Sequence, residues 1–274
     1  MNVRPGWIVL AFVVTALAFN GAFLFVASML GVLPNASLTL DSPKALVTPL
    51  MLLGAGVAAT LVSWLLGQRL WLGNLPALLP GLAAGAGVLT LSVAIGALAS
   101  GAVSPGTGDA LCALEHLAFI GPAAVAEELL VRGSGLRALC RAIGAPAAII
   151  GGGVLFGLLH LGNPNASPVA AANVALVGIW FGTMAWRAQS IWPAIGAHLA
   201  WNFFEGFVWG QNVSGIRAGC SLLTATSRPP FFGGGAFGPE ASGLTCLLLV
   251  LACLGTAFWP AGGRATASPG PAAQ

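Results

Sequence analysis

The sequence predicts an all-α polytopic membrane protein of about eight transmembrane helices with a polar intramembrane site. Three observations lead there. Hydrophobic residues make up 57% of the 274-residue chain and charged residues 6%, where a soluble domain carries about 25% charged residues; the mean hydropathy is +0.92. The apolar residues come in continuous runs rather than the alternating pattern of barrel strands, and a helix satisfies its own backbone groups in lipid. A few ionisable residues sit inside those runs, where a charge costs about 3 kcal/mol or more and so marks function.

A spanning helix needs about 20 mostly apolar residues. Eight segments qualify: 7–33, 45–67, 78–100, 111–131, 146–161, 168–186, 190–210 and 241–259. The breaks between them carry turn chemistry, as in LPNAS, DSPK, GNLP, SPGTGD and GNPNASP. The first run is longer than the apolar core of about 7–15 residues in a signal peptide, so it is read as a retained helix. No internal repeat is evident. Residues 1–262 read as one transmembrane domain, with motifs concentrated in 124–205, and residues 263–274 as a disordered tail. The loop 211–240, with RPPFFGGGAFGPE, reads either as a turn-rich connection or as a lid or re-entrant element over a cavity.

The positive-inside rule sets the orientation. With the N-terminus in the cytoplasm, Arg4, Arg69, Arg132, Arg137, Arg141, Arg187 and Arg264 fall inside, and Lys44, Arg217 and Arg228 outside. Both termini are then cytoplasmic, and the chain is a multi-pass protein of the plasma membrane. The net charge of +3 is scattered, which argues against a nucleic-acid partner. Cys112, Cys140, Cys220, Cys246 and Cys253 form no CxxC pair and read as small packing residues. The sequons at Asn35, Asn165 and Asn212 carry no weight.

Setting the loop charges aside leaves Glu115, His116, Glu127, Glu128, Arg132, His160, His198 and Glu205, with Asn202 as an uncharged companion. In EELLVR, Arg132 stands four residues after Glu128, the spacing of a facing pair. Adjacent helical residues differ in direction by about 100°, so Glu127 is left to face a cavity. A spare carboxyl in a low dielectric is suited to general-base chemistry. In HLAWN, His198 and Asn202 share a helix face and form a pair of donors for a developing oxyanion. Glu205 reads as an interfacial carboxylate near the outer end of that helix, and Glu115 and His116 as residues near the outer mouth of the fourth. These groups meet at one depth only if the fourth helix continues through GSGLRALCRAI to about Arg141. That extension raises Glu127 from about 8 to about 21 Å above the helix end, at 1.5 Å per residue.

Three stretches together resemble the CPBP family of CAAX-prenyl endopeptidases and bacteriocin-processing (Abi) proteins, and its bacterial branch in particular. They are Glu127-Glu128…Arg132, Phe156…His160 and His198…Asn202, in order and on separate hydrophobic segments. WNFFEGFVWGQNVSG and GGGAFGPEASG also look like that branch. Val131 stands where the family commonly carries Phe. The resemblance implies hydrolysis of a peptide bond within the membrane, acting on a peptide or membrane-protein substrate. In it Glu127 and His160 activate water, His198 and Asn202 form the oxyanion site, and Glu128 and Arg132 support them. It leaves the cofactor open between a zinc ion and metal-free glutamate chemistry; no HExxH pair exists, since the two histidines lie on different segments. Two other classes fit the same residues: a non-catalytic membrane scaffold or bacteriocin immunity factor, and a small proton-coupled transporter. The lack of a repeat counts against the transporter.

Overall fold

The computed structural model describes residues 6, 7, 10, 14, 47–67, 70–217 and 219–258. The expected first helix, apart from residues 7, 10 and 14, and the expected tail lie outside the described residues. Every other expected span has a helix. They are α1 (Val47–Leu65), α2 (Leu78–Ser100), α3 (Ala110–Arg132), α4 (Ser134–Ile143), α5 (Ala145–Leu159), α6 (Pro168–Ala188) and α7 (Trp192–Phe203). A one-turn helix α8 (Pro230–Gly233) and the last helix α9 (Gly243–Phe258) complete the set. Four helical segments, 75–99, 110–143, 145–162 and 168–188, are long and apolar enough to cross a membrane. With only a small two-stranded sheet beside them among the described residues, the protein is an all-α polytopic membrane protein.

Local sequence explains the ends. Asp109 caps α3 by accepting the Cys112 amide (2.9 Å), and Ser167 caps α6 by accepting that of Ala170 (3.1 Å), each satisfying a donor left over in a first turn. Pro146 and Pro168 stand in the first turns of α5 and α6, where a missing N–H costs nothing. Gln189 ends α6 in the left-handed region.

The long fourth helix is present with one interruption. Helical backbone runs from Ala110 to Ile143 but breaks at Gly133, where a Cβ would collide with the Leu129 carbonyl. The extension thus turns at a glycine rather than continuing straight, and α4 packs Leu136 against Ala148 and Ile149 of α5.

Small residues set how closely the helices approach. A Cβ on Gly81 or Gly85 of α2 would strike the carbonyls of Pro193 and Ala197 on α7; one on Gly153 or Gly157 of α5 would strike the α6 backbone at Ala175 and Ala171. Without a hydrophobic drive between helices in lipid, this small-xxx-small contact is what packs them. It seats α7, which carries His198, and α5, which His160 caps at its C-terminal end, against α2 and α6. The core between them holds Leu89, Phe156, Val177, Trp180, Phe181 and Trp201.

Two features lay outside the expected helices. Strands β1 (Ala102–Pro105) and β2 (Leu223–Thr226) pair antiparallel, Ala102 with Thr226 and Pro105 with Leu223. A disulfide joins Cys112 to Cys220, which corrects the packing reading for those two cysteines. A separation of 108 residues leaves no local spacing by which to recognise it. Cys140, Cys246 and Cys253 are free and half-buried.

Candidate active site

The site starts at the last two turns of α3. Glu128 and Arg132 are buried, and Arg132 Nη1 donates to Glu128 Oε1 at 2.9 Å. Arg132 Nη2 donates to the Gly178 carbonyl at 3.0 Å, and the guanidinium lies 4.4 Å from the Phe156 ring centroid. A buried ion pair needs such extra partners to offset the loss of water. Phe156 does more than pack: its ring is edge-on to His160 at 4.6 Å and to His198 at 6.0 Å. The aromatic of the Phe-x-x-x-His stretch therefore links the arginine to both histidines.

The histidines are oriented from behind. His198 Nδ1 donates to Glu128 Oε1 at 2.9 Å, so one carboxylate oxygen serves both the arginine and the imidazole. His160 Nδ1 donates to the Phe156 carbonyl at 2.8 Å. With each Nδ1 committed, each ring turns its Nε2 forward. Both Nε2 atoms face Glu127 Oε2, at 3.9 Å from His160 and 3.8 Å from His198. That oxygen is buried and has no hydrogen-bond partner. The gaps are too long for direct hydrogen bonds and suit a small bridging species such as water.

Glu127, His160, His198 and Asn202 line one cavity of about 340 Å³. Its apolar side comes from Pro49 and Leu52 of α1 and from Phe119 and Ile120 of α3. Its far wall comes from the 211–240 loop through Val213, Ser214 and Ile216. All six candidate residues therefore meet around one space: Glu127, His160, His198 and Asn202 on its surface, and Glu128 and Arg132 behind it.

Two sequence expectations change. Glu205 is not interfacial but completely buried, because α7 passes into a π turn (Phe204–Val208) that tucks it inward. His116 is also buried rather than at a mouth; its Nδ1 donates to the Cys112 carbonyl at 2.9 Å and its ring stands 5.8 Å from that of Phe207. Glu115 is half-buried on the neighbouring face. Glu240, in the 3-10 turn Pro239–Ala241, drew no attention as a loop residue, yet it is buried beside Ser214. The signal available was its place in GPEAS, in the loop already suspected of covering a cavity. Among the described residues, Cys112, His116 and Cys220 bring ligand atoms within 4.8 Å of one another, but the disulfide occupies both sulfurs.

The fold and this cluster define a helical membrane protein with a buried polar site that opens on a cavity. Residues 110–204 match the family described as Type II CAAX prenyl endopeptidase Rce1-like, in line with the CPBP resemblance carried by the three stretches. The matched segment, about a third of the chain, runs from the first turn of α3 into the π turn and contains all six candidate residues. It supports an intramembrane endopeptidase of the CAAX type, and with it a peptide substrate in a membrane. No curated protein and no solved structure matches the chain.

Proposed function

We propose that this protein hydrolyses a peptide bond within the membrane, with Glu127 and His160 activating the attacking water. The observation that carries this reading is the placement of Glu127 Oε2, buried and unbonded, between two imidazole Nε2 atoms at 3.8 and 3.9 Å. A water in that gap gives its proton to Glu127 as its oxygen attacks the substrate carbonyl carbon. The carbonyl oxygen gains charge and is met by His198 and Asn202, one turn apart on α7. Glu128 accepts the Nδ1–H of His198 and so holds the ring with Nε2 towards the substrate; the imidazolium form of His198 carries the Nε2–H that donates to the oxyanion. Glu127 returns its proton to the departing amine. Arg132 and Glu128 position the histidine and do not touch substrate.

The same donors fit a zinc ion by their chemistry. Two imidazoles with Nδ1 bonded to a carbonyl or carboxylate, beside a carboxylate oxygen, are the usual zinc set with its supporting partners. Such an ion would be held by His160, His198 and Glu127 and would supply Lewis-acid polarisation of the carbonyl. The water-activation steps above need no metal.

The unit acts as one transmembrane domain of bacterial CPBP type in the plasma membrane, with both termini cytoplasmic. The Cys112–Cys220 disulfide supports this orientation. Disulfides persist on the oxidising side of a membrane, and this one lies at the start of α3 and in the 211–240 loop. Arg132, Arg137 and Arg141 lie at or beyond the other end of α3. The substrate is a peptide or membrane protein; nucleic acid is not a partner.

Cleavage of a reporter peptide library by purified protein, wild type against Glu127→Gln, tests the reading. Activity lost in the variant supports it, and equal activity in both refutes the site. A zinc chelator in parallel separates the two chemistries: loss of wild-type activity restored by added zinc overturns the metal-free scheme.

A further inference from the structure

Of the seven acidic residues, Glu127 lines the cavity and three more, Glu128 among them, are buried; the proposed reaction uses two of these four. The others are Glu205 and Glu240. Glu205 is 0% exposed and neither of its oxygens is hydrogen-bonded. The Trp201 indole N–H faces it from the preceding turn but falls short of a bond. Glu240 is 5% exposed, and its Oε2 accepts the Ser214 hydroxyl at 2.6 Å. The Glu240 carbonyl accepts the Asn173 amide of α6 at 2.7 Å. Glu205 Oε1 lies against Gly238, 3.3 Å from where a Cβ there would stand and two residues before Glu240, and the Glu240 carboxyl acts on it electrostatically.

Among the described residues, no lysine or arginine is among the charges acting on either group. Glu240 feels His160 and His198 beyond Ser214, and His116 of α3 lies against Gly206, next to Glu205. Two buried carboxylates without a cation between them do not both ionise; such pairs hold one proton and titrate as a unit. An unbonded, fully buried carboxyl needs an explanation of this kind. The pair also has a structural task. Ser214, held in the left-handed region at φ 47°, forms cavity wall, and its carbonyl accepts Asn163 Nδ2 at 3.1 Å, a second cavity residue. Glu240 therefore anchors the side chain of the residue whose backbone anchors Asn163.

We propose that Glu205 and Glu240 hold one proton between them and act as a positioning pair that fixes the Ser214–Asn163 wall of the cavity. The inference concerns the site proposed above and rests on that reading for its catalytic consequence alone. Burial pushes the Glu240 carboxyl up from the ordinary range, against the Ser214 hydroxyl and the two histidines. A raised carboxyl binds its proton better in the folded protein, so its contribution is complete at low pH and is lost as pH rises. Loss of the shared proton leaves two negative charges in one buried region and frees the loop wall.

The test uses full-length protein in detergent and compares wild type, Glu205→Gln and Glu205→Ala across pH. Melting temperature, reporter cleavage and the infrared carbonyl band of a protonated carboxylic acid are measured on each. The expected wild-type result is a melting temperature that falls on the alkaline side, with that band present. Glu205→Gln keeps donor hydrogens but cannot ionise. It removes the band and flattens the alkaline fall while retaining cleavage, whereas Glu205→Ala lowers cleavage about tenfold, as for a group that supports a site at second hand. An alkaline fall unchanged in Glu205→Gln, or no band in wild type, overturns the proposal. So does a melting temperature raised by calcium in wild type but not in Glu205→Gln, which assigns the pair to a cation. Failure of the peptidase reading has a different signature: no cleavage by wild type, with the band and the pH-dependent melting intact.

Discussion

Glu127 and Glu128 are neighbours in the chain, yet they belong to two differently built halves of the site. Around Glu128 one oxygen carries the bonding: Oε1 joins Arg132 and His198, Arg132 reaches on to Gly178 and the Phe156 face, and Oε2 is buried without a partner. Around Glu127 they are open: its nearest partners stand 3.8 and 3.9 Å off and it faces a cavity. The rotation of about 100° per residue sends one carboxyl into the core and the other to the cavity. The difference teaches that the closed half supplies rigidity so that the open half can remain unbonded. A carboxylate already satisfied by the protein would have nothing left to offer a water.

That contrast can be broken from either side. Glu127→Gln should lower kcat by about a thousandfold, the scale of general-base catalysis, with the melting temperature close to wild type; reporter cleavage and thermal denaturation together check it. Arg132→Ala should instead destabilise the fold by about 4 kcal/mol, because it leaves Glu128 buried without its cation. Yield and melting temperature would show this, and the double variant Arg132→Ala with Glu128→Ala should be less harmed than the sum of the two single losses. Reducing or replacing the Cys112–Cys220 bridge should lower stability by about 3 kcal/mol through the loop that walls the open half; denaturation with and without reductant measures it. Asn202→Ala should have the smallest effect, about a hundredfold in kcat with KM nearly unchanged, as for one oxyanion donor. A larger change in KM than in kcat would move Asn202 from the transition state to substrate binding.

Much of this was legible in the residues. Hydropathy runs located a helix in each of the seven described segments, four of them long and apolar enough to cross a membrane, because a helix in lipid must be long, apolar and continuous. The four-residue spacing of Glu128 and Arg132 announced their pairing, because it is a property of one helix. The Glu128–His198 bond was not legible: it joins residues 70 apart and depends on how α3 meets α7. The same reason hid the disulfide and the burial of Glu240. Glu205 was misplaced because a π turn, rather than regular α-helix, sets its direction.

By itself, then, the chain's sequence determined the membrane class, the helices and the residue types that could form a site, since period, hydropathy and local spacing are written along one strand of chain. Only the tertiary structure decided which of those groups are bonded and which are left open. That outcome depends on glycine contacts such as Gly81 and Gly85 against α7, which set helix separations to fractions of an ångström, and hydrogen bonds form or fail over that same distance.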